Sequence, residues 1–307
     1  INGEHIAYKT KSLQTIHPGL NFTSLKEGAS YYNGDMSVPV LFSKVLSDKE
    51  ISQLVAKGYT RNTDERILDW IPYADTRSLL AWSDGNYEFV TSDGIKREVK
   101  VEKTGSPVMI NQKWEVSFPK GLGAPEKISL PKLFSLHRHE DEGVKYFSGT
   151  ATYKTNFVVK PSMMSEDRVV FLDLGAVEVM AEVIVNGVNK GIFWSRPYLI
   201  DVTDVLKPGE NTLEIKVTNQ WTNRLIGDEQ LPEENEYVPG GGVNGIAALS
   251  RGAIRKLPDW YRNGVNKPEG GRVAFTTWKH YRKDSPLIES GLIGPVRLIP
   301  AKKIEFE

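Results

Sequence analysis

The chain has no cysteine. Disulfides, thiol nucleophiles and cysteine-ligated metal sites are therefore excluded. Compartment stays open, because exported bacterial proteins often do without cysteine as well. There is no excess of either charge: 39 Lys and Arg stand against 39 Asp and Glu. A nucleic-acid or anionic-membrane binder carries a basic surplus on a domain or face, and the only cluster here is Arg251, Arg255, Lys256 and Arg262. No apolar run approaches the roughly 18 residues of a membrane span. The opening INGEHIAY has neither an initiator Met nor a signal-peptide pattern, which reads as a piece or processed product of something longer. A nucleophile elbow of the G-x-S-x-G kind is missing. Gly240-Gly241-Gly242 lacks the Gly-Lys-Ser/Thr of a phosphate loop. Strands do not alternate with long helices as a (β/α) barrel requires. No complete catalytic apparatus is visible.

What is present is a long series of short strands. The 307 residues suggest about two domains and suffice for a sizeable core. Residues 1–63 are turn-punctuated: an Asn2-Gly3 turn, an apolar VPVLFSKV strand, then a helix. Ser47 and Glu50 form its capping box, Ile51, Leu54 and Val55 its apolar stripe, and Gly58 its end. Residues 64–108 form a β bridge whose hairpin turns at Asp93-Gly94. From 109 to 301, strands recur with turn signals between them, as in a sandwich or jelly roll. WEVSF, GTATYKTNFVV, VVFLDLG, AEVIVNG, NTLEIKVTN, VAFTTWKHY and GPVRLIP are its expected strands. In NTLEIKVTN, Leu213, Ile215 and Val217 face one side and Glu214 and Lys216 the other. Asn186-Gly187 is a strong hairpin signal. The fold class expected is all-β.

The chemistry concentrates in a loop after Val217. Asn219, Gln220, Trp221, Thr222, Asn223, Arg224, Asp228 and Glu229 crowd together there, and no turn requires that set. Flat aromatic surfaces with amides, carboxylates and guanidinium groups hold sugars, whose rings have apolar faces and hydroxyl edges. Trp194 and Arg196 on the preceding connection, and Trp260 in LPDWYR, extend the candidate carbohydrate site. The competing assignment is a buried Trp anchor with an internal Arg–Asp ion pair, and the residues alone leave both open. Asp228 and Glu229 are the weak candidates for catalysis, by type only, because adjacent carboxylates in a wet loop remain ionised. Gly240-Gly241-Gly242 would let the Leu231–Leu257 excursion fold back as a flap. Trp278 and Tyr281 read as core packing. His137, His139, Glu140, Asp141 and Glu142 make a zinc site conceivable, but no further His lies near. Solvated acidic loop is the more ordinary account.

Several motifs then resemble known families. DLGAVEVMAEVIVNGVNKG, followed by DVTDVLKPGENTLEIKVTN, resembles the galactose-binding-like jelly roll of family 2 glycosidases, their sugar-binding domain. KWEVSFPKGLGAPEKISLPKL, NQWTNRLIGDEQLP, LPDW, FTTWKHY and SPLIESGLIGPVRL resemble the C-terminal module of family 106 α-L-rhamnosidases, from about Leu79 to Leu298. Residues 1–63, with LSDKEISQL, resemble the second half of a laminin-G or concanavalin-like sandwich. These resemblances imply a non-catalytic, carbohydrate-recognising module of a larger, secreted, periplasmic or cell-surface glycoside hydrolase. Its partners would be a rhamnose-containing plant or algal glycan and a catalytic domain of the same protein. Asn219, Asn223, Arg224 and Asp228 would face that domain or its substrate. No cofactor is expected beyond a structural calcium, which the sequence does not place. The alternatives are an autonomous glycoside hydrolase using loop carboxylates, and a purely structural spacer.

Overall fold

Period-two alternation dictates most of the architecture. In NTLEIKVTN, Asn211, Leu213, Ile215 and Val217 are buried while their neighbours are not, so one face of that strand lies on a core. The structure, a computed structural model, describes Ser47, Lys49 and residues 68–70, 78–90, 94–238, 253–267, 271–276 and 281–305. Two compact units divide the chain, Ile1–Asp64 and Glu65–Glu307, and everything below concerns the second. The expected N-terminal half-sandwich and its capped helix lie, apart from Ser47 and Lys49, outside the described residues.

The described strands are β1 (Leu68–Trp70), β2 (Ser78–Ala81), β3 (Gly85–Val90), β4 (Lys96–Val101), β5 (Val108–Met109), β6 (Trp114–Ser117), β7 (Lys127–Leu130) and β8 (Thr150–Val159). They continue with β9 (Arg168–Asp173), β10 (Ala176–Glu178), β11 (Met180–Val185), β12 (Val188–Phe193), β13 (Leu199–Asp201), β14 (Gly209–Thr218), β15 (Gly291–Gly294) and β16 (Arg297–Glu305). One sheet runs β1-β2-β16-β9-β13, with β5 beside the start of β16, and the other runs β12-β11-β14-β8-β6-β7. The segment expected as a bridge thus lends β1, β2 and β5 to the first sheet, while β3 and β4 form the hairpin.

The two sheets share one core. Val170, Leu172, Ile200 and Leu298 meet Trp114, Val116, Tyr153, Val183, Ile215 and Val217 within it. Each fully buried large apolar side chain of this kind contributes about 1.5–3 kcal/mol. The β11–β12 hairpin turns at Asn186-Gly187, as the sequence predicts. The Asn186 amide donates to Val205 O (2.8 Å) and Asn211 Oδ1 (2.7 Å) and accepts from Thr212 N (2.9 Å). The turn is therefore tied down on three sides. The all-β expectation holds, and among the described residues no helix is long and apolar enough to cross a membrane.

Two local expectations are corrected. VAFTTWKHY was expected to be a strand, yet Val273–Thr276 is irregular, and 277–280 lie outside the described residues. The N–H groups of Val273 and Ala274 are taken by the Asp228 carboxylate, so no sheet neighbour can use them. The loop after Val217 is in part a helix, α2 (Thr222–Asp228), following the short α1 (Glu142–Lys145) and preceding α3 (Asp259–Arg262). Arg224 and Asp228 sit four apart on one face of α2 and pair there, which is the spacing that favours helix.

Candidate functional site: a splinted rim and groove

Strand β14 delivers the polar run to one end of the sandwich. Asn219, the first residue past it, does not face outward. Its amide accepts from Gly149 N (2.8 Å) and donates to Phe147 O (2.9 Å), continuing the β14–β8 ladder with a side chain. Asn223, 1% exposed, clamps Ile288 through both backbone groups, at 2.8 and 2.9 Å. Arg224 and Asp228 are 5% and 2% exposed and pair at 3.0 Å. Asp228 also accepts from Val273 N (2.9 Å) and Ala274 N (2.8 Å). The Arg224 guanidinium lies over the Tyr146 ring.

A second guanidinium extends this splint. Arg272, buried, donates to Glu229 Oε1 (2.7 Å), Pro232 O (3.0 Å) and Leu231 O (3.3 Å). Its backbone N–H reaches Glu234 Oε1 at 2.8 Å. Sequence reasoning missed Arg272 and Lys267, since neither stands in a motif and their partners are far away along the chain. Asp228 and Glu229 are both engaged inside the protein. Among the described residues the hollow that both line is only about 10 Å³, too small for a sugar ring.

The exposed members of the set lie elsewhere. Trp194 is 78% and Trp221 50% exposed. The register places them at one end of one sheet: Ala181 pairs with Phe193, and Met180 with Thr218. Trp194 thus follows β12 and Trp221 follows β14, with only β11 between those strands. Arg196, beyond Trp194, is exposed and pairs with Glu178 at 2.9 Å. Two indoles and an ion pair therefore form a rim.

Trp260, half-buried at the start of α3, belongs to a separate place. Its ring meets Phe275 edge-on (5.5 Å, 80°) and Tyr261 (6.0 Å, 90°). It lines a groove of about 700 Å³ with Glu234, Glu236, Lys256, Asp259 and Lys267. Gly240-Gly241-Gly242, expected to let the Leu231–Leu257 excursion fold back as a flap, lies outside the described residues.

The histidine segment is not gathered for a metal. His137 Nδ1 faces Ser135 Oγ at 2.6 Å, while His139 Nδ1 accepts Asp141 N at 3.0 Å and its ring stacks on Phe134. Among the described residues no group of three or more His, Asp or Glu side chains is placed to hold an ion. Burial pushes the His137 imidazole below its ordinary value of 6.5; Arg138 and Lys145 act in the same direction, Glu289 against it. A depressed histidine favours the neutral form in the fold, so its stabilising effect is present above 6.5 and lost as pH falls below that value. Urea midpoints taken from about pH 8 to about pH 5 should diverge between wild type and His137→Gln only in the acidic half. A constant gap would rule this out.

Two antiparallel sheets over one core make this part of the chain a β-sandwich. Residues 132–261 match the family described as glycosyl hydrolase 2 galactose-binding domain-like. Over 214 residues, 70% of the chain, it is 40% identical to a provisionally named β-glucuronidase of Formosa agariphila. It spans 17% of the length of that curated relative. Among solved structures, the rhamnosidase from Novosphingobium sp. PP1Y is 38% identical over 66% of this chain and 16% of its own, with a TM-score of 0.49. A β-glucuronidase from Ruminococcus gnavus is 22% identical over 37% of this chain and 22% of its own, with a TM-score of 0.32.

Proposed function

We propose that the chain is a non-catalytic, carbohydrate-recognising module of a larger glycoside hydrolase, one that acts on α-L-rhamnosides of plant or algal polysaccharide. The match of residues 132–261 to a glycosidase-associated domain family carries this proposal. Support for the division of labour comes from the loop carboxylates: Asp228 and Glu229 are both committed to internal partners. The catalytic carboxylates then belong to another domain. Trp194, Arg196, Trp221 and Trp260 are the side chains with surface to offer a sugar. Asn219, Asn223, Arg224 and Asp228 act as positioning residues behind them. The choice of rhamnoside rests on the sequence resemblance, while the name of the curated relative refers to a β-glucuronide.

The test uses the full-length protein and the 307-residue chain on aryl α-L-rhamnosides and aryl β-D-glucuronides. Turnover of the rhamnoside by the full-length protein, with none by the chain alone, is the expected result. Turnover by the chain alone, abolished in Asp228→Asn or Glu229→Gln, would establish the autonomous hydrolase instead. The buried Arg224–Asp228 pair also suits a spacer. In that case Trp194→Ala and Trp221→Ala would leave full-length activity and glycan affinity unchanged.

A further inference from the structure

We infer that the groove beside Trp260 seats a neutral pyranose, as a glycan subsite separate from the Trp194–Trp221 rim. The inference rests on the carbohydrate-module reading above and names the ligand class of one of its surfaces. Two walls line most of the groove, residues 234–236 and 256–260, and Lys267 and Gly271 complete it beside Glu234. Val238 N to Ala253 O (2.8 Å) and Arg255 N to Glu236 O (2.7 Å) tie the walls together antiparallel.

Each wall takes part in an ammonium–carboxylate pair at 2.9 Å, Glu234 with Lys267 and Asp259 with Lys256. Such a pair presents a donor and an acceptor side by side, which matches the two neighbouring hydroxyls of a sugar ring, each able to donate and accept. Charge-assisted hydrogen bonds of this kind are the stronger ones. Burial pushes the Glu234 carboxyl up, but the Lys267 ammonium and the Arg272 N–H outweigh it and hold it below its ordinary value. The Lys256 ammonium lowers the Asp259 carboxyl likewise. Both therefore stay ionised as acceptors at neutral pH.

Trp260 supplies the apolar surface, its ring angle set by Phe275 and Tyr261. Existing ion pairs decide against acidic sugars: Lys267 is bound to Glu234, and both Lys256 and Arg262 to Asp259, so a sulfated sugar or a uronate would have to break one of these pairs to gain a cation. Rigidity comes from the splint. Glu234 is fixed by Arg272 N, and Arg272 lies next to Val273, which Asp228 holds.

Isothermal titration of the 307-residue chain with methyl α-L-rhamnoside, methyl β-D-glucoside, methyl β-D-glucuronide and a sulfated galactoside tests this. At least one neutral glycoside should bind more tightly than both anionic ones. Trp260→Ala and the surface variant Asp259→Ala should each weaken it by about tenfold or more, equivalent to about 1.4 kcal/mol. Asp259 is exposed, so its variant remains informative if Trp260→Ala does not fold. Tighter binding of the anionic glycosides, unchanged affinity in Asp259→Ala, or no binding of any glycoside overturns the groove assignment. The module proposal fails separately, through the full-length hydrolysis assay, which does not depend on Trp260.

Discussion

Asp228→Ala should lower the unfolding free energy by about 3–5 kcal/mol, the usual consequence of removing one partner from a buried ion pair. Two terms combine. Arg224, itself 5% exposed, would be left as an uncompensated buried cation whose Nε already finds no partner. The half-buried N–H groups of Val273 and Ala274 would lose their acceptor, which adds to the loss. Arg224→Met should cost less. It removes the cation together with its unpartnered nitrogen, while Asp228 keeps both backbone donors. Urea unfolding of both variants measures the asymmetry. Equal losses would mean that the pair, and not the grip on residues 273–274, carries the stability. Groove affinity should fall in Asp228→Ala even under conditions where the variant remains folded, because Arg272 and Glu234 depend on the same segment.

That asymmetry also marks where the sequence was legible. Strand positions were readable because their alternation is local: Leu213, Ile215 and Val217 point inward for the same reason they recur every second residue. The Asn186-Gly187 turn was readable because its chemistry is contained in two residues. Asn219, Asn223, Arg224 and Asp228 stood out by type, yet type does not reveal direction. Whether a guanidinium faces a sugar or a carboxylate depends on where residues 272–288 return, more than forty positions later. The choice between an open sugar site and an internal ion pair could not be made before the chain was folded.

The strand expected at VAFTTWKHY shows the same limit in reverse. Its apolar pattern is strand-like, but Asp228 captures the backbone donors that a ladder needs, and a tertiary contact overrides local preference. The groove was hidden for a related reason. Trp260 was visible as an aromatic beside a carboxylate, whereas Glu234 and Lys267 are thirty-three residues apart and meet only in the fold. Exposure divides the candidate residues into two groups. Trp194, Arg196, Trp221 and Trp260 have surface available, whereas Asn219, Asn223, Arg224 and Asp228 bond to partners inside the protein.

Gly291→Ala is expected to cost about 2–6 kcal/mol, from about 1–3 kcal/mol of backbone strain and about 1–3 kcal/mol of overpacking. Gly291 has φ of +85°, where an L side chain is strained, and an added Cβ would lie 2.4 Å from Tyr153 Oη and 2.9 Å from Leu136 Cγ. Neither neighbour can retreat, since both are fully buried, and Tyr153 Oη accepts Leu292 N at 3.2 Å. Tyr153→Phe deletes the nearest clashing atom. The double variant should therefore be less destabilised than the sum of the singles, by about 0.5–3 kcal/mol for residues in contact. Strain at φ remains, so the double variant should stay below wild type. Strict additivity in the thermal or urea cycle would show that overpacking against Tyr153 contributes nothing. The position matters beyond its own packing. Ile288, held by Asn223, and Ser290, bonded to Ser135, run directly into β15. Strand β15 then pairs with β10, whose Glu178 holds Arg196. Residues 288–294 are thus the seam between helix α2 and the rim, and a displaced Gly291 should disturb Arg196 and Asn223 together.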